Sequence, residues 1–202
     1  MSDGFTYSEP THQYFIDGVE VPSVTTILKS AGIIDDRFYT EVGRERGTAV
    51  HLACQLLDED DLDFDSVAEE ISGYLKAYQS FKKDSGFVPL KIEEGVYNRV
   101  YQYAGRYDRL GEIDGKIVLM DIKTGAIPKW VELQLIGYET AIVDMGRVFQ
   151  NFVNPVEELF ALQLRENGAY TLKAIEGGRE KQEVFLSAVR LYHWKKNNGV
   201  KV

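Results

Sequence analysis

Two aspartates and a lysine carry the clearest chemical signal in this chain. Asp108, Asp121 and Lys123 lie in the stretch YAGRYDRLGEIDGKIVLMDIKTG, residues 103–125. Residues 104–113 and 116–123 are strand-like runs. Asp114-Gly115 between them is the dipeptide that a two-residue hairpin turn prefers, because both central positions need positive φ. Such a turn sets residue 113 opposite 116, and stepping along the ladder places Asp108 opposite Asp121. Two facing carboxylates are about 5 Å apart at Cβ and repel. A hard divalent cation such as Mg²⁺ or Mn²⁺ between them is one physical remedy. Lys123 follows Asp121 by two residues and so leaves the same face of its strand. Two acids, a cation and an ammonium suit phosphodiester hydrolysis: the metal polarises the phosphate and activates water, and the lysine neutralises developing charge.

This stretch resembles the PD-(D/E)XK nuclease superfamily in its RecB-like exonuclease branch. Asp108 corresponds to the first acid and Asp121-Ile122-Lys123 to the D/E-x-K element. Gln134 and Tyr138 match the branch's Q-x-x-x-Y helix motif. The run SVTTIL at 23–28 is similar to a segment of phage exonucleases and of the mitochondrial genome maintenance exonuclease. The resemblance spans roughly residues 5–195 and implies a restriction-endonuclease-like core. It implies further that His51 ligates metal through a ring nitrogen and that Glu93, fifteen residues before the first aspartate, is an extra site acid. Strand alternation alone does not choose between Glu93 and Glu94. The carbonyl of Ile122 is a further candidate ligand, and Gln134 and Tyr138 would touch DNA or order the site. Thr124 is a candidate phosphate donor and equally a turn residue, and Lys129 and Trp130 are candidates for backbone and base contact. One departure is Tyr107, where the family name has proline.

The bulk numbers bound the reading. At 202 residues the chain is expected to be a single domain. Its parts would be a hairpin and helix at 1–32, a helical part at 33–87, and a sheet core with closing helix at 88–202. No apolar run is long enough for a membrane span, and the first residues lack an export signal pattern, so a cytoplasmic protein is expected, bacterial or in a phage-infected host. The lone cysteine, Cys54, excludes an internal disulfide and a four-cysteine iron–sulfur cluster. The net charge of −9 is unusual for a DNA binder, but the eight acids between Asp58 and Glu70 carry −8 of it. That patch is expected to face away from DNA, leaving a narrow basic groove with salt-sensitive binding. The sequence has no helicase motif, so strand separation would come from a partner or the substrate is already single-stranded, and a recombinase, single-strand annealing protein or helicase is a candidate partner. A structure-specific endonuclease and a non-catalytic DNA-binding module are the alternatives.

The elements that must position these residues follow from periodicity. Residues 5–21 predict a small hairpin turning at Asp17-Gly18. Ser23 is placed to cap a helix running to Leu28 and stopping near Gly32. A second helix is expected at 37–57, with Val42, Ala49, Leu52, Ala53, Leu56 and Leu57 as its apolar side and Arg44, Gly47, His51 and Gln55 on another. There Gly47 would let a metal or phosphate approach. A third helix at 64–83 carries a stripe of Val67, Ile71, Tyr74, Leu75, Tyr78 and Phe81 and ends at Gly86. Residues 88–101 are strand-like. Gly105 should let another backbone pass close. The apolar run Ile117–Met120 fits a central strand covered on both faces. Pro128 opens a fourth helix, residues 158–174 form a hairpin around Asn167-Gly168, and 179–197 close the fold as a helix. The fold class is therefore α/β, a mixed central sheet flanked by helices.

Overall fold

The computed structural model describes residues 4–8, 11–35, 37, 40–149 and 155–202, with the side chains of 147–149 excepted. Its centre is a five-stranded mixed sheet in the order β4-β5-β6-β7-β8, formed by Val88–Asn98, Tyr103–Ile113, Lys116–Lys123, Glu158–Leu164 and Tyr170–Ile175. The β6–β7 pair is parallel and the other three pairs are antiparallel. A separate three-stranded sheet, β1 (Phe5–Ser8), β2 (Gln13–Ile16) and β3 (Val19–Val21), precedes it. The predicted N-terminal hairpin is thus a meander with one strand more, and Asp17 and Gly18 both take positive φ in its turn.

Helices cover both faces of the central sheet. On one side α2 (Glu41–Asp58) and α3 (Glu69–Ser85) bury Val50, Cys54, Tyr78 and Phe81 against Val118, Met120 and Ile122 of β6. On the other, α1 (Val24–Ser30), α4 (Val131–Phe149) and α5 (Arg179–Asn197) pack Val24, Leu135 and Phe185 against Ile117 and Leu119. Alternate residues of β6 serve opposite cores, which is why its sequence is continuously apolar. Ser23 caps α1 by accepting from the Thr26 amide at 3.0 Å, and Gly86 ends α3 at φ 65°.

Four expectations need correction. Helix α2 begins at Glu41, capped by Thr40, while positions 38 and 39 of the expected helix lie outside the described residues. Its buried face is also turned from the predicted one: Val42 is 70% exposed and Leu52 53%, whereas Val50, Ala53 and Cys54 are buried. Gly43, Gly47, His51, Cys54 and Asp58 follow one another at three- and four-residue steps along this inner side, with Val50 beside His51. Helix α3 starts five residues late, at Glu69, after a 3-10 turn at Phe64–Ser66. Helix α4 starts three residues after Pro128, which instead supplies the carbonyl that accepts from the Val131 amide.

Candidate metal and phosphodiester site

The hairpin β5–β6 has the register that its turn dictates. Ile113 pairs with Lys116, Leu110 with Leu119, and the ladder runs to Arg109 with Met120. There it stops, one step short of Asp108 and Asp121. Beyond it the Ile122 amide donates at 2.6 Å to the Asp108 carboxylate, Oδ2, in place of a ladder bond. The carbonyl of the same residue accepts from His51 Nε2 at 3.1 Å. One residue of β6 therefore ties a strand acid to a helix histidine through its backbone.

The side-chain alternation of β5 also breaks at Asp108. Tyr103, Tyr107 and Leu110 all belong to the core on the α4 side, while Arg109 points the other way, 5.9 Å from the Tyr78 ring centre. In β4 the residue facing this break is Glu93, between the pairs Ile92–Arg109 and Glu94–Tyr107. Its φ is +48°, a left-handed conformation that costs a residue with a Cβ about 1–2 kcal/mol. Such strain persists only where surrounding contacts enforce it. Here Arg106 Nε donates to the Glu93 carbonyl at 2.7 Å, and Arg109 Nη1 reaches Oε1 at 3.2 Å.

These distortions bring three ligand-type side chains together. His51, Glu93 and Asp108 each offer an atom within 4.8 Å of the others. His51 Nδ1 is 3.6 Å from Glu93 Oε1 and 3.7 Å from Asp108 Oδ1. These gaps are too long for hydrogen bonds. They fall between the roughly 3 Å and 4.2 Å that separate cis and trans donors around a hard ion with bonds near 2.1 Å. Glu94, by contrast, turns to Lys91 and the Tyr107 hydroxyl. The Ile122 carbonyl, expected as a metal oxygen, is engaged by His51 and fixes that ring's orientation.

Asp121 lies beside this group, 1% exposed, with Lys123 Nζ 2.5 Å from its Oδ2 and no hydrogen-bond partner on Oδ1. The ordinary ion pair between these two residues is thus present in the geometry. Burial pushes the Asp121 carboxyl up to about 6 against the pull of Lys123, and the neighbouring Asp108 charge adds to the rise. For His51, burial disfavours the charged ring, but Asp108 and Glu93 outweigh it and lift the pKa. An acid group that gathers protons and a buried oxygen without a donor both mark a site with spare negative charge. Carboxylates with one imidazole form a donor set that suits Mg²⁺ or Mn²⁺, so the residues present fit a divalent ion.

The flanking residues complete the picture. Lys123 sits between Asp121 and the ring of Trp130, 5.4 Å from its centre. Gln134 Nε2 donates to the Tyr138 hydroxyl at 3.0 Å, both side chains are buried, and Gln134 Oε1 has no partner. Burial raises the Tyr138 phenol well above its ordinary value, against the Gln134 hydrogen bond, with Asp121 and Asp108 adding to the rise. Gly105 makes room for the Tyr138 ring, whose Cε1 would stand 2.5 Å from an added Cβ. A side chain, and not the expected backbone, passes there. Thr124 lies across from Gly47, 3.8 Å from where that residue's Cβ would be. Lys129 does not join the site: it pairs with Glu132 at 2.8 Å with its side chain 87% exposed. A cleft of about 790 Å³ opens beside Lys123, and Lys29, Arg44, Arg46, Thr124 and Trp130 are among its walls.

Two charged residues escaped the sequence reading. Arg109 is fully buried and pairs with Asp58 at 2.7 Å. Asp58 was grouped with the solvated acidic patch, but its side chain is inaccessible and also accepts from Tyr78 and Lys82. The one available signal was an acid seven residues, two helical turns, after His51.

No family model and no curated protein matches the chain. Among solved structures, it is similar to a proposed exonuclease from Eubacterium rectale, at 12% identity and TM-score 0.45 over 88% of this chain and 74% of that one. It is also similar to the alkaline exonuclease LHK-Exo from Laribacter hongkongensis, at 11% identity and TM-score 0.34 over 88% and 92% of the two chains. The complex of LHK-Exo with dAMP gives 13% identity and TM-score 0.38 over 89% and 93%. At such TM-scores these likenesses carry no functional argument, which rests on the geometry of the site itself.

Proposed function

We propose that this protein is a divalent-metal-dependent deoxyribonuclease, with an exonuclease acting on DNA ends as the favoured form. The convergence of His51, Glu93 and Asp108 within 4.8 Å, beside the buried Asp121–Lys123 pair, carries the reading. Mg²⁺ or Mn²⁺ would be held by Asp108, Glu93, His51 and Asp121. When bound, it supplies Lewis acidity toward a phosphate oxygen and lowers the pKa of a bound water. Asp121 orients Lys123 through their ion pair. Lys123 holds the attacking water in place and neutralises charge developing on the phosphorus oxygens. Gln134 and Tyr138 brace the buried side of the acids, and Thr124 donates toward the phosphate from the cleft wall. The cleft lining of Lys29, Arg44, Arg46 and Lys123 supports a strand of DNA as the occupant, even in an overall acidic protein.

Among the described residues no helix is long and apolar enough to cross a membrane. The reading puts the enzyme in bacterial or phage DNA recombination or repair in the cytoplasm, beside a helicase, recombinase or annealing protein, with strand separation left to such a partner or unneeded on single-stranded substrate. The test is degradation of 5′- and 3′-labelled linear DNA with Mg²⁺ or Mn²⁺, run beside circular single-stranded DNA. Linear substrates should be digested and the circle left whole; cutting of the circle would mark an endonuclease. Asp121→Asn and Lys123→Ala should abolish cleavage while the circular dichroism spectrum is kept. Full activity in purified Lys123→Ala would overturn the assignment, and inactivity of the parent on every substrate would favour a binding module.

A further inference from the structure

Behind the acids runs a buried chain of charges that the hydrolytic chemistry does not itself need. Arg109 Nε donates to Asp58 Oδ2 at 2.7 Å, and its Nη1 reaches both the Asp108 carbonyl at 2.6 Å and Glu93 Oε1 at 3.2 Å. Asp58, on the last residue of α2, accepts at 2.6 Å from both Tyr78 and Lys82 of α3. The side chains of Arg109 and Asp58 are both inaccessible to solvent. Burial opposes the charge on Arg109, but the Asp58 and Asp108 carboxylates favour it, and the guanidinium stays protonated.

Such a pair is a poor device for stability alone. Desolvating two ions cancels most of their attraction, and apolar residues of the same volume commonly serve as well or better. What an apolar pair cannot do is grip the two acids. The Arg109 guanidinium is a rigid planar fork. Anchored at Nε by Asp58, it presents Nη1 at a fixed place, where one nitrogen meets the side chain of one ligand residue and the backbone of the other. The strained Glu93 backbone needs that kind of enforcement. We infer that Arg109, anchored by Asp58, is a positioning residue that sets the spacing of Glu93 and Asp108 for a divalent cation. The inference rests on the nuclease reading and adds to it a role for residues that touch neither metal nor DNA.

Charge and geometry predict different results here, which makes the idea testable without DNA. As a cation, Arg109 repels a metal ion, so if only its charge mattered Arg109→Lys would leave affinity unchanged. As a fork, it cannot be replaced by the single nitrogen of lysine, so Arg109→Lys should weaken binding. The measurement is Mn²⁺ titration of the full chain by electron paramagnetic resonance, with thermal unfolding as a check on folding. Loss of an outer contact to a ligand residue costs about 10–100-fold in metal affinity, and we expect a fall in that range for Arg109→Lys. Asp58→Asn, which loosens the anchor but spares the fork, should weaken binding in the same direction, and the double variant should fall short of the product of the two effects. Raised Mn²⁺ should restore cleavage by Arg109→Lys toward the parent kcat, a rescue that a general loss of structure would not show. Folded Arg109→Lys binding Mn²⁺ within two-fold of the parent overturns the inference and leaves the nuclease reading intact. If Arg109→Lys does not fold, unchanged Mn²⁺ affinity in Asp58→Asn overturns it equally. A parent protein that binds no Mn²⁺, or binds it as well after Asp108→Asn, overturns both.

Discussion

The contact between Gly105 and Tyr138 allows a sharp prediction. A methyl group at position 105 would lie 2.5 Å from Tyr138 Cε1, 3.1 Å from Cδ1 and 3.4 Å from Val24 Cγ2. Carbon atoms sit comfortably at about 3.5–4.0 Å, so Gly105→Ala demands a displacement of about 1 Å between strand and ring. Neither partner yields easily. The ring is buried and rigid, its hydroxyl is held by Gln134, and Val24 is fully buried behind it. Overpacking of this kind costs about 1–3 kcal/mol, or a fall in Tm of roughly 2–12 °C for a protein of this size. Gly105 is also three residues from Asp108, and a misplacement of 1 Å at a reacting centre can cost about 100-fold in rate. Gly105→Ala should therefore lose more activity than stability. Urea unfolding and the Mn²⁺-dependent cleavage rate are the two measurements. A double-mutant cycle with Tyr138→Ala isolates the cause, because the penalty at 105 should largely vanish once the ring is gone. Stability within about 0.5 kcal/mol of the parent, or an undiminished penalty in the Tyr138→Ala background, would refute the reasoning.

Trp130→Leu removes the ring beside the Lys123 ammonium, a contact in the class worth about 0.5–2 kcal/mol. The expected loss in kcat at saturating metal is of the order of five-fold, with Trp130→Phe milder, and equal kcat in all three proteins would exclude a role for the ring. Burial raises the carboxyl of Glu139 above its ordinary 4.5. A raised folded-state value means stability fully present below the unfolded value and lost as pH rises through the folded one. Glu139→Gln escapes that loss, so its stability advantage over the parent should grow from acid to neutral pH. Urea unfolding across pH 4–7 checks this, and an advantage independent of pH would contradict it.

The parts of this molecule that were legible in its sequence are those fixed by local rules. Asp114-Gly115 set the β5–β6 register without reference to the rest of the fold, and the pairs from Arg109–Met120 to Ile113–Lys116 follow it. Ser23 and Gly86 mark helix ends through caps that act within one turn. The face of α2 was not legible, because Val42 and Leu52 satisfy an apolar pattern yet lie in solvent, while Gly47, His51 and Asp58 look polar and face the sheet. A site turned inward inverts the usual relation between polarity and exposure. Tertiary ion pairs were equally hidden. Asp58 and Arg109 are 51 residues apart, and neither composition nor periodicity joins them. The placement of Glu93 also depends on a left-handed residue in a strand, for which glutamate gives no local signal.

The turn at Asp114-Gly115 has a consequence for how this chain can be elaborated. An added Cβ at Gly115 would meet nothing within 4 Å, and the turn is six residues, about 20 Å of strand, from Asp108. Strands β5 and β6 are meanwhile clasped by β4 and β7 on their outer edges. A tag, a fluorophore or a whole inserted module could be grafted at this tip while the end that carries His51, Glu93 and Asp108 keeps its shape, giving a protein that can be tethered or observed from the far side of its candidate site.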